Sequence, residues 1–336
     1  MAAGRNVSIV IPTWNGRHLL ERFLPSVVGA AASYARATGA SVEIVVVDDG
    51  STDDSVAWMT GRSRSWEVPV FVVALEANVG FAAACNRGVS AAAHPLVLLL
   101  NNDVALDPSA IAPLAGRFAR EDPSGLLFAV HCRVLDFDTG AEAGTGQLGG
   151  FRRGFIRVHD AYVTQSPGER VWPSMFASGG SSMVDRTRFL ELGGFDTLFA
   201  PFYLEDVELS YRAWKRGLTV GYEPESLARH RFSSTIRGKS SEAEIRRISQ
   251  RNRLFLHWIH LHDRSWFLQH VFWVVVLFVT APLTLRIDFA RAVIEALGRL
   301  SEIRARRGKE RDLARRGDRE VIAVFGKLRE RKKKAR

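Results

Sequence analysis

The chain has little cysteine. Its 336 residues contain two, Cys85 and Cys132, whose spacing fits neither a zinc site nor a disulfide framework. Small disulfide-stapled scaffolds are therefore excluded, and two thiols suit a reducing compartment. Apolar residues make up 46% of the chain, which is ample for a packed core without covalent staples.

An excess of charge is missing from most of the chain. The formal net charge is +10, and residues 286–336 hold eighteen Lys and Arg against eight Asp and Glu, so this segment carries the whole excess. Residues 1–285 are balanced in charge. A basic tail indicates an anionic lipid surface or a nucleic acid as its partner.

Charged residues are absent from residues 266–285, which read WFLQHVFWVVVLFVTAPLTL. Twenty residues are about the length that crosses a hydrocarbon core. A buried core helix is the alternative, but soluble helices of this length usually carry a polar stripe. We favour membrane contact, by crossing or by shallow insertion. The tail then faces an anionic membrane surface rather than nucleic acid, and we expect the protein at the cytoplasmic face of the cell membrane.

No glycine-rich phosphate loop follows the first β-branched run, because residues 13–16 read TWNG. This short turn disfavours a nucleotidyltransferase. Runs typical of buried strands alternate with helical stretches over the first hundred or so residues, at 7–12, 42–47, 68–74 and 96–100. The alternation predicts an α/β fold with a mostly parallel central sheet flanked by helices.

Polar residues close three of these strands, the first of which runs into Thr13 and Asn15 of the TWNG turn. Asp48 ends the run VVVD, and Asn102 and Asp103 follow the run LVLLL. Ligands bind beyond the carboxyl ends of parallel strands, so this edge is the candidate site. Turn chemistry alone explains the Gly and Ser after Asp48, but a carboxylate at the end of a hydrophobic strand needs a polar partner, and we expect a base or ribose there.

Oxygen ligands at Asn102 and Asp103 suit a hard divalent cation, Mg²⁺ or Mn²⁺, that bridges a diphosphate. A capped turn is the alternative explanation. His230 follows the last predicted strand, where it fits a further metal ligand or a phosphate contact, although a lone His is more often structural.

Glu205 and Asp206 precede an amphipathic helix in PFYLEDVELSYRAWKRG. The helix dipole explains one acidic residue at that position. It does not explain why two acidic residues follow a segment that is rich in aromatic residues and glycine. Apolar side chains around such a pair would exclude water and let a carboxylate act as a base. Asp206 is therefore the candidate general base.

Small residues mark the segment ALEANVGFAAACNRG, which contains Asn78, Gly80 and Asn86. A tight turn and a close-packed helix explain them structurally. They also allow a nucleotide to approach the N-terminus of a helix.

Taken together, PTWNG, VVVDDGSTDDS, NVGFAAACNRG, LLLNNDV, SGGSSM, LGGFD and YLEDVELSYRAWKRG occur in this order over roughly residues 6–235. The chain resembles the family 2 glycosyltransferases of GT-A fold, and within them most resembles the bacterial rhamnosyltransferase-like subgroup. The resemblance implies an inverting transfer from a nucleotide diphosphate sugar, with rhamnose suggested by the subgroup. The implied acceptor is a glycan or lipid-linked hydroxyl in cell-surface polysaccharide synthesis.

The resemblance also assigns roles. The expected roles are nucleoside contact for Pro12, Thr13, Asn15 and Asp48, donor contact for Asn78, Gly80, Asn86, Asn102 and Asp103, metal binding for Asp103 and His230, catalysis for Asp206 with Glu205, and acceptor binding for Gly179 and Gly180.

One departure concerns the metal motif. The usual D-x-D is Asn101-Asn102-Asp103 here, which leaves one charged ligand and predicts weak metal affinity. A catalytically degenerate, membrane-bound sugar-nucleotide-binding or scaffold protein is the alternative. The predicted divisions are a catalytic domain at 1–235 with halves 1–105 and 106–235, a helical connection at 236–265, a membrane segment at 266–285 and a basic helical tail at 286–336.

Overall fold

A computed structural model describes residues 4–62, 65–120, 125–162, 172–231 and 241–334. Its first part alternates strands and helices, as the sequence predicts. The elements are β1 (Val7–Thr13), α1 (Arg17–Thr38), β2 (Val42–Asp48), α2 (Ser55–Arg62), β3 (Val70–Ala74), α3 (Phe81–Ala91) and β4 (Leu96–Leu100).

The middle of the chain is richer in strands than the sequence predicts. A ten-residue buried strand, β6, has no counterpart in the sequence prediction. In chain order the elements are β5 (Val104–Leu106), α4 (Ile111–Arg120), β6 (Leu127–Asp136), β7 (Glu142–Gly144), β8 (Gly146–Arg152), β9 (Phe155–Tyr162), β10 (Trp172–Pro173), β11 (Ser181–Asp185), α5 (Arg186–Leu192), a 3-10 turn (Thr197–Phe199), α6 (Glu205–Lys215) and β12 (Thr219–His230).

The central sheet is mixed. Its main order is β10-β12-β6-β11-β4-β1-β2-β3, with β5 paired to β12 and β7 to β6. Strands β1 to β4 pair in parallel, and β11 lies antiparallel between β4 and β6. The carboxyl ends of β1, β2 and β4 therefore share one edge. Strands β8 and β9 form a separate antiparallel hairpin.

Five helices complete the described chain. They are α7 (Glu242–His260), α8 (Arg264–Thr280), α9 (Ile287–Gly298), α10 (Leu300–Leu313) and α11 (Asp318–Lys334). Helices α9 and α10 pack on α7, and α11 packs on α6 and β8. Phe325 of α11 is fully buried, with its ring 5.5 Å from that of Trp214. The basic segment is thus folded onto the body of the protein.

Helix α8 is apolar on all sides. Its inner side packs on the core through residues such as Trp273 and Leu277. Its outer side and the turn before α9 expose a continuous stripe, here called the apolar hairpin surface, formed by Leu268, Phe272, Val275, Val279, Leu283 and Leu285. Within the described ranges, none of the helices combines the length and the apolarity needed to cross a membrane.

Candidate functional site

Thr13 and Asp48 lie side by side at the carboxyl ends of β1 and β2, as paired residues in the parallel register. Pro12, one residue earlier, is half-buried. The Asp48 side chain is buried and accepts a hydrogen bond through Oδ1 from the Ser51 N–H, at 2.9 Å. Its Oδ2 has no hydrogen-bond partner among the described residues. A buried carboxylate oxygen left in this state leaves an acceptor for a ligand N–H or O–H.

Asp49 has a structural task at the same edge. Its two oxygens accept from the N–H groups of Val79 and Gly80, at 2.8 and 2.9 Å. Gly50 has φ +70°, and a Cβ there would lie 2.5 Å from the carbonyl carbon of Ala77. The hydrogen bonds to Asp49 and the close approach of Gly50 to Ala77 fix the loop that contains the exposed Asn78 and leads into α3.

Two residues that were predicted to contact the nucleotide sugar, Asn15 and Asn86, form hydrogen bonds within the protein. The Asn15 Oδ1 accepts from the Thr52 N–H at 2.7 Å. The Asn86 amide accepts from the N–H of Phe195 and donates to the carbonyl of Phe195, at 2.8 and 2.9 Å. These side chains fix the loops of the candidate site. Their contact with a nucleotide sugar stays a prediction.

Asn102 and Asp103 follow β4 as predicted. The Asn102 amide donates to the Thr13 Oγ1 at 2.9 Å, which joins two strand ends. Strand β5 then pairs antiparallel with the end of β12, placing Val104 opposite His230. The His230 Nε2 therefore lies 2.9 Å from the Asp103 Oδ1.

A carboxylate and an imidazole are two of the ligands that a divalent cation accepts, and Mg²⁺ usually takes one or two protein ligands plus substrate phosphates. The Asp103–His230 pair fits this partial shell. No group of three His, Cys, Asp or Glu side chains is placed to hold a metal in the part of the chain that the structure describes.

Glu205 and Asp206 occupy the first turn of α6. The Asp206 carboxylate accepts from the N–H of Gly179 at 3.1 Å and of Val207 at 2.8 Å. Gly179, predicted to bind the acceptor, is thereby joined to the predicted base. Gly180 is the next residue in the chain. A Cβ at this position would lie 2.4 Å from the Asn101 side chain, so a larger residue does not fit there without displacing Asn101.

Burial raises the pKa of both carboxyl groups. For Asp206 the desolvation outweighs the two N–H donors. For Glu205 burial comes first and the neighbouring Asp206 charge second, and together they raise the pKa to about 8. Glu205 Oε2 has no hydrogen-bond partner among the described residues. Two adjacent carboxyl groups with raised pKa values are suited to proton transfer, with Glu205 the one that keeps its proton more readily.

The backbone leading into this pair is strained. Tyr203 and Leu204 have φ of +71° and +73°. Asn252 of α7 is fully buried, and its Nδ2 lies 2.6–3.0 Å from the carbonyl oxygens of Phe199, Phe202 and Tyr203. Asn252 was not among the predicted site residues. The sequence nevertheless carries a signal for it, because an amide interrupts an otherwise apolar stripe at helical spacing, formed by Ile248, Phe255 and Ile259.

The family model "Glycosyl transferase family 2" matches residues 8–183 of the chain. A putative polypeptide N-acetylgalactosaminyltransferase 13 of Drosophila melanogaster is 26% identical over 78% of this chain and 48% of its own. An undecaprenyl-phosphate 4-deoxy-4-formamido-L-arabinose transferase of Pectobacterium carotovorum is 33% identical over 33% of this chain and 32% of its own. The chain thus spans about half or a third of the length of these curated relatives.

Solved structures share the fold. GalNAc-T7 with UDP, GalNAc and Mn²⁺ superposes with a TM-score of 0.59 at 19% identity, over 77% of this chain and 49% of that one. The mannosyltransferase PcManGT from Pyrobaculum calidifontis, with GDP-Man and Mn²⁺, gives 0.53 at 16% identity over 96% and 88%. TarS 1-349 of S. aureus with UDP-GlcNAc gives 0.58 at 12% identity over 97% and 92%. The predicted GT-A-like α/β fold is confirmed.

Proposed function

The chain belongs to glycosyltransferase family 2, and from this premise we propose that it transfers a sugar from a nucleotide diphosphate sugar to an acceptor hydroxyl with inversion at the anomeric carbon. The carrying observation is the half-buried carboxylate Asp206, which accepts a hydrogen bond from the Gly179 N–H just before β11, whose first residue, Ser181, pairs with Leu100 at the end of β4 that precedes Asp103. A single carboxylate base is what one in-line displacement requires.

The donor side of the proposal uses the strand ends. Asp48 offers Oδ2 to the nucleoside, beside Pro12 and Thr13. Asp103 and His230 would hold Mg²⁺ or Mn²⁺, and the diphosphate oxygens would complete the shell. When bound, such a cation neutralises charge on the leaving diphosphate.

The acceptor side uses Asp206. Its carboxylate accepts the proton of the acceptor hydroxyl, whose oxygen forms the new bond to the anomeric carbon. The bond from that carbon to the diphosphate oxygen breaks, and the nucleoside diphosphate leaves. Glu205 keeps its proton more readily than an exposed glutamic acid, so it limits negative charge beside the base.

The acceptor is proposed to be a glycan or lipid-linked hydroxyl at the cytoplasmic face of the cell membrane, and the sugar rhamnose. The name of the relative from Pectobacterium carotovorum includes undecaprenyl phosphate, a lipid. The apolar hairpin surface supports the membrane placement, since exposed Leu283 and Leu285 can insert into the interface beside a basic segment.

A donor panel tests the reaction. Nucleotide release from UDP-, dTDP- and GDP-sugars, with lipid and soluble acceptors, should identify one preferred donor. Asp206→Asn should keep donor binding and lower kcat by about 100-fold or more, as expected for loss of a general base. The matched control Asp312→Asn changes an exposed carboxylate on α10 and should leave both unchanged.

Two outcomes would contradict the proposal. Absence of turnover with every donor, while donor binding persists, would favour a degenerate sugar-nucleotide-binding protein. Unchanged kcat in Asp206→Asn would remove Asp206 as the base.

A further inference from the structure

A cavity of about 400 Å³ lies between the β8–β9 hairpin, α7 and the turn that joins α8 to α9. It has no part in the donor site described above. Its walls are strongly basic. They carry four arginines, Arg157, Arg246, Arg253 and Arg286.

The positive charge of the four arginines is not neutralised by acidic residues in the cavity lining. Asp288 is the single acidic residue in the lining, and its Oδ2 lies 3.3 Å from the Arg246 Nε. Arg157 and Arg253 form no ion pair with any side chain that the structure describes. Both guanidinium groups instead lie over the Phe155 ring, with Cζ 5.7 and 5.0 Å from its centroid.

The position of Arg253 is costly without an anion. Burial and, after it, the neighbouring charge of Arg157 together lower the pKa of Arg253 to about 10. Like charges brought together in a partly dry site repel each other, and a phosphate with its several oxygen acceptors relieves that repulsion.

An apolar edge adjoins the basic walls. Leu277 and Leu285 line the cavity, and Leu285 is 88% exposed toward solvent on its other side. From there the apolar hairpin surface continues along α8. An anionic head in the cavity and a hydrocarbon chain on α8 would therefore be parts of one amphiphile.

The cavity also lies next to the residue that holds the loop before Asp206. Arg253 directly follows Asn252 on α7, and successive helical residues point about 100° apart. One of these side chains binds the loop before Asp206, and the next lines the cavity.

We propose that this basic cavity holds the phosphate or diphosphate head of a lipid-linked acceptor, whose hydrocarbon chain lies on the apolar hairpin surface. The proposal rests on the proposed function, because it places that reaction's acceptor. It goes beyond general membrane attraction, since it requires the arginines to select a terminal phosphate over a phosphodiester headgroup.

Vesicle co-flotation of the full chain, without donor, tests the proposal. The vesicles are phosphatidylcholine alone, phosphatidylcholine with a polyprenyl phosphate, and phosphatidylcholine with phosphatidylglycerol at equal charge. We expect binding about tenfold tighter to the polyprenyl phosphate vesicles than to the phosphatidylglycerol vesicles, and a loss of about tenfold in Arg253→Gln.

Two further variants keep the test decisive. Arg286→Gln removes an exposed arginine of the cavity and should lose affinity even if Arg253→Gln fails to fold. Arg304→Gln removes an exposed arginine of α10 outside the cavity and should bind like the parent. Equal binding to both anionic vesicles, insensitive to Arg253 and Arg286, would overturn the proposal.

Inorganic pyrophosphate separates a lipid from a free anion. Displacement of the protein from polyprenyl phosphate vesicles by pyrophosphate supports a headgroup site. Thermal stabilisation by pyrophosphate with no preference among the vesicles would make the ligand a free phosphate and overturn the lipid assignment. If the protein transfers sugar to a soluble acceptor but shows no vesicle selectivity, the transferase proposal stands and the lipid-headgroup proposal fails. If it selects polyprenyl phosphate vesicles but turns over no donor, the lipid-headgroup site stands and the transferase proposal fails.

Discussion

Glu205 is a buried acid whose charged form has no hydrogen-bond partner for Oε2 among the described residues. Its pKa is raised to about 8 by burial and by Asp206, against about 4.3 in an unfolded chain. Between these two values the native state binds a proton that the unfolded state has released. The free energy of unfolding therefore falls as pH rises from about 4.3 through about 8.

Glu205→Gln should remove this penalty. We expect the variant to be more stable than the parent at pH 8, by about 1 kcal/mol or more, and equally stable near pH 4. Urea unfolding across this pH range measures the difference. Glu76→Gln, which alters an exposed glutamate, is the control and should follow the parent curve. A parallel offset at every pH would show that the titration of Glu205 is not the cause.

At the scale of single elements, α7 stabilises a loop that would not hold its shape alone. Positive φ at Tyr203 and Leu204 costs about 1–3 kcal/mol per residue. The Asn252 Nδ2 offsets this conformational cost, because it lies within hydrogen-bond distance of three carbonyl oxygens of the loop. Asn252 is a positioning residue, since it acts on the proposed base through this loop.

Asn252→Asp keeps the side-chain shape and removes the N–H donors. We expect kcat to fall about tenfold or more because Asp206 shifts, with the dissociation constant of the donor unchanged. Steady-state kinetics together with donor titration measure the two quantities. Asn6→Asp makes the same change in an exposed amide whose Oδ1 accepts from the Ser41 N–H, and should affect neither. Equal losses in kcat and donor affinity would mean that Asn252 supports the whole domain.

The elements that the sequence predicted well are those with local signals. Asp48 and Asp103 could be placed at one edge because each ends a continuous apolar strand. The amphipathic period after Glu205 and Asp206 predicted helix α6, which in the structure already includes both residues. Strand β6 was missed because His131 and Arg133 interrupt its pattern and its partners β11 and β12 are distant in sequence. The antiparallel insertion of β11 has no local signal at all.

At the scale of the whole molecule, helices α9, α10 and α11 of the C-terminal segment pack on the preceding part of the chain. Its arginines and acids form ion pairs with the body, including Arg306 with Asp196 and Arg216 with Glu310. The sequence placed the whole charge excess in a tail that faces lipid. The structure shows that part of this charge holds α10 against the protein.

The strongest connection is a buried one. The Lys215 Nζ lies 2.8 Å from the Asp318 Oδ1, and both side chains are buried. Asp318 also accepts from the Tyr211 hydroxyl and from the N–H groups of His262 and Asp263. Helices α6, α8 and α11 therefore meet at one carboxylate.

Lys215→Met should destabilise the protein by about 3 kcal/mol, because it leaves the Asp318 charge buried without its counter-ion. The double variant Lys215→Met with Asp318→Asn should recover part of this loss. Urea unfolding of the parent, the two single variants and the double variant gives the coupling free energy. Additive effects of the two substitutions would contradict a coupled pair.

The Lys215–Asp318 contact joins residues separated by 103 positions. At ordinary rates of translation about 5 to 20 s pass between the synthesis of the two residues. During that interval the nascent chain already carries Asp48, Asp103 and Asp206, but its helix α6 still exposes a lysine and the aromatic face of Trp214. A polypeptide released early by the ribosome would keep these groups exposed, so proteases would recognise a prematurely terminated product by its incomplete core.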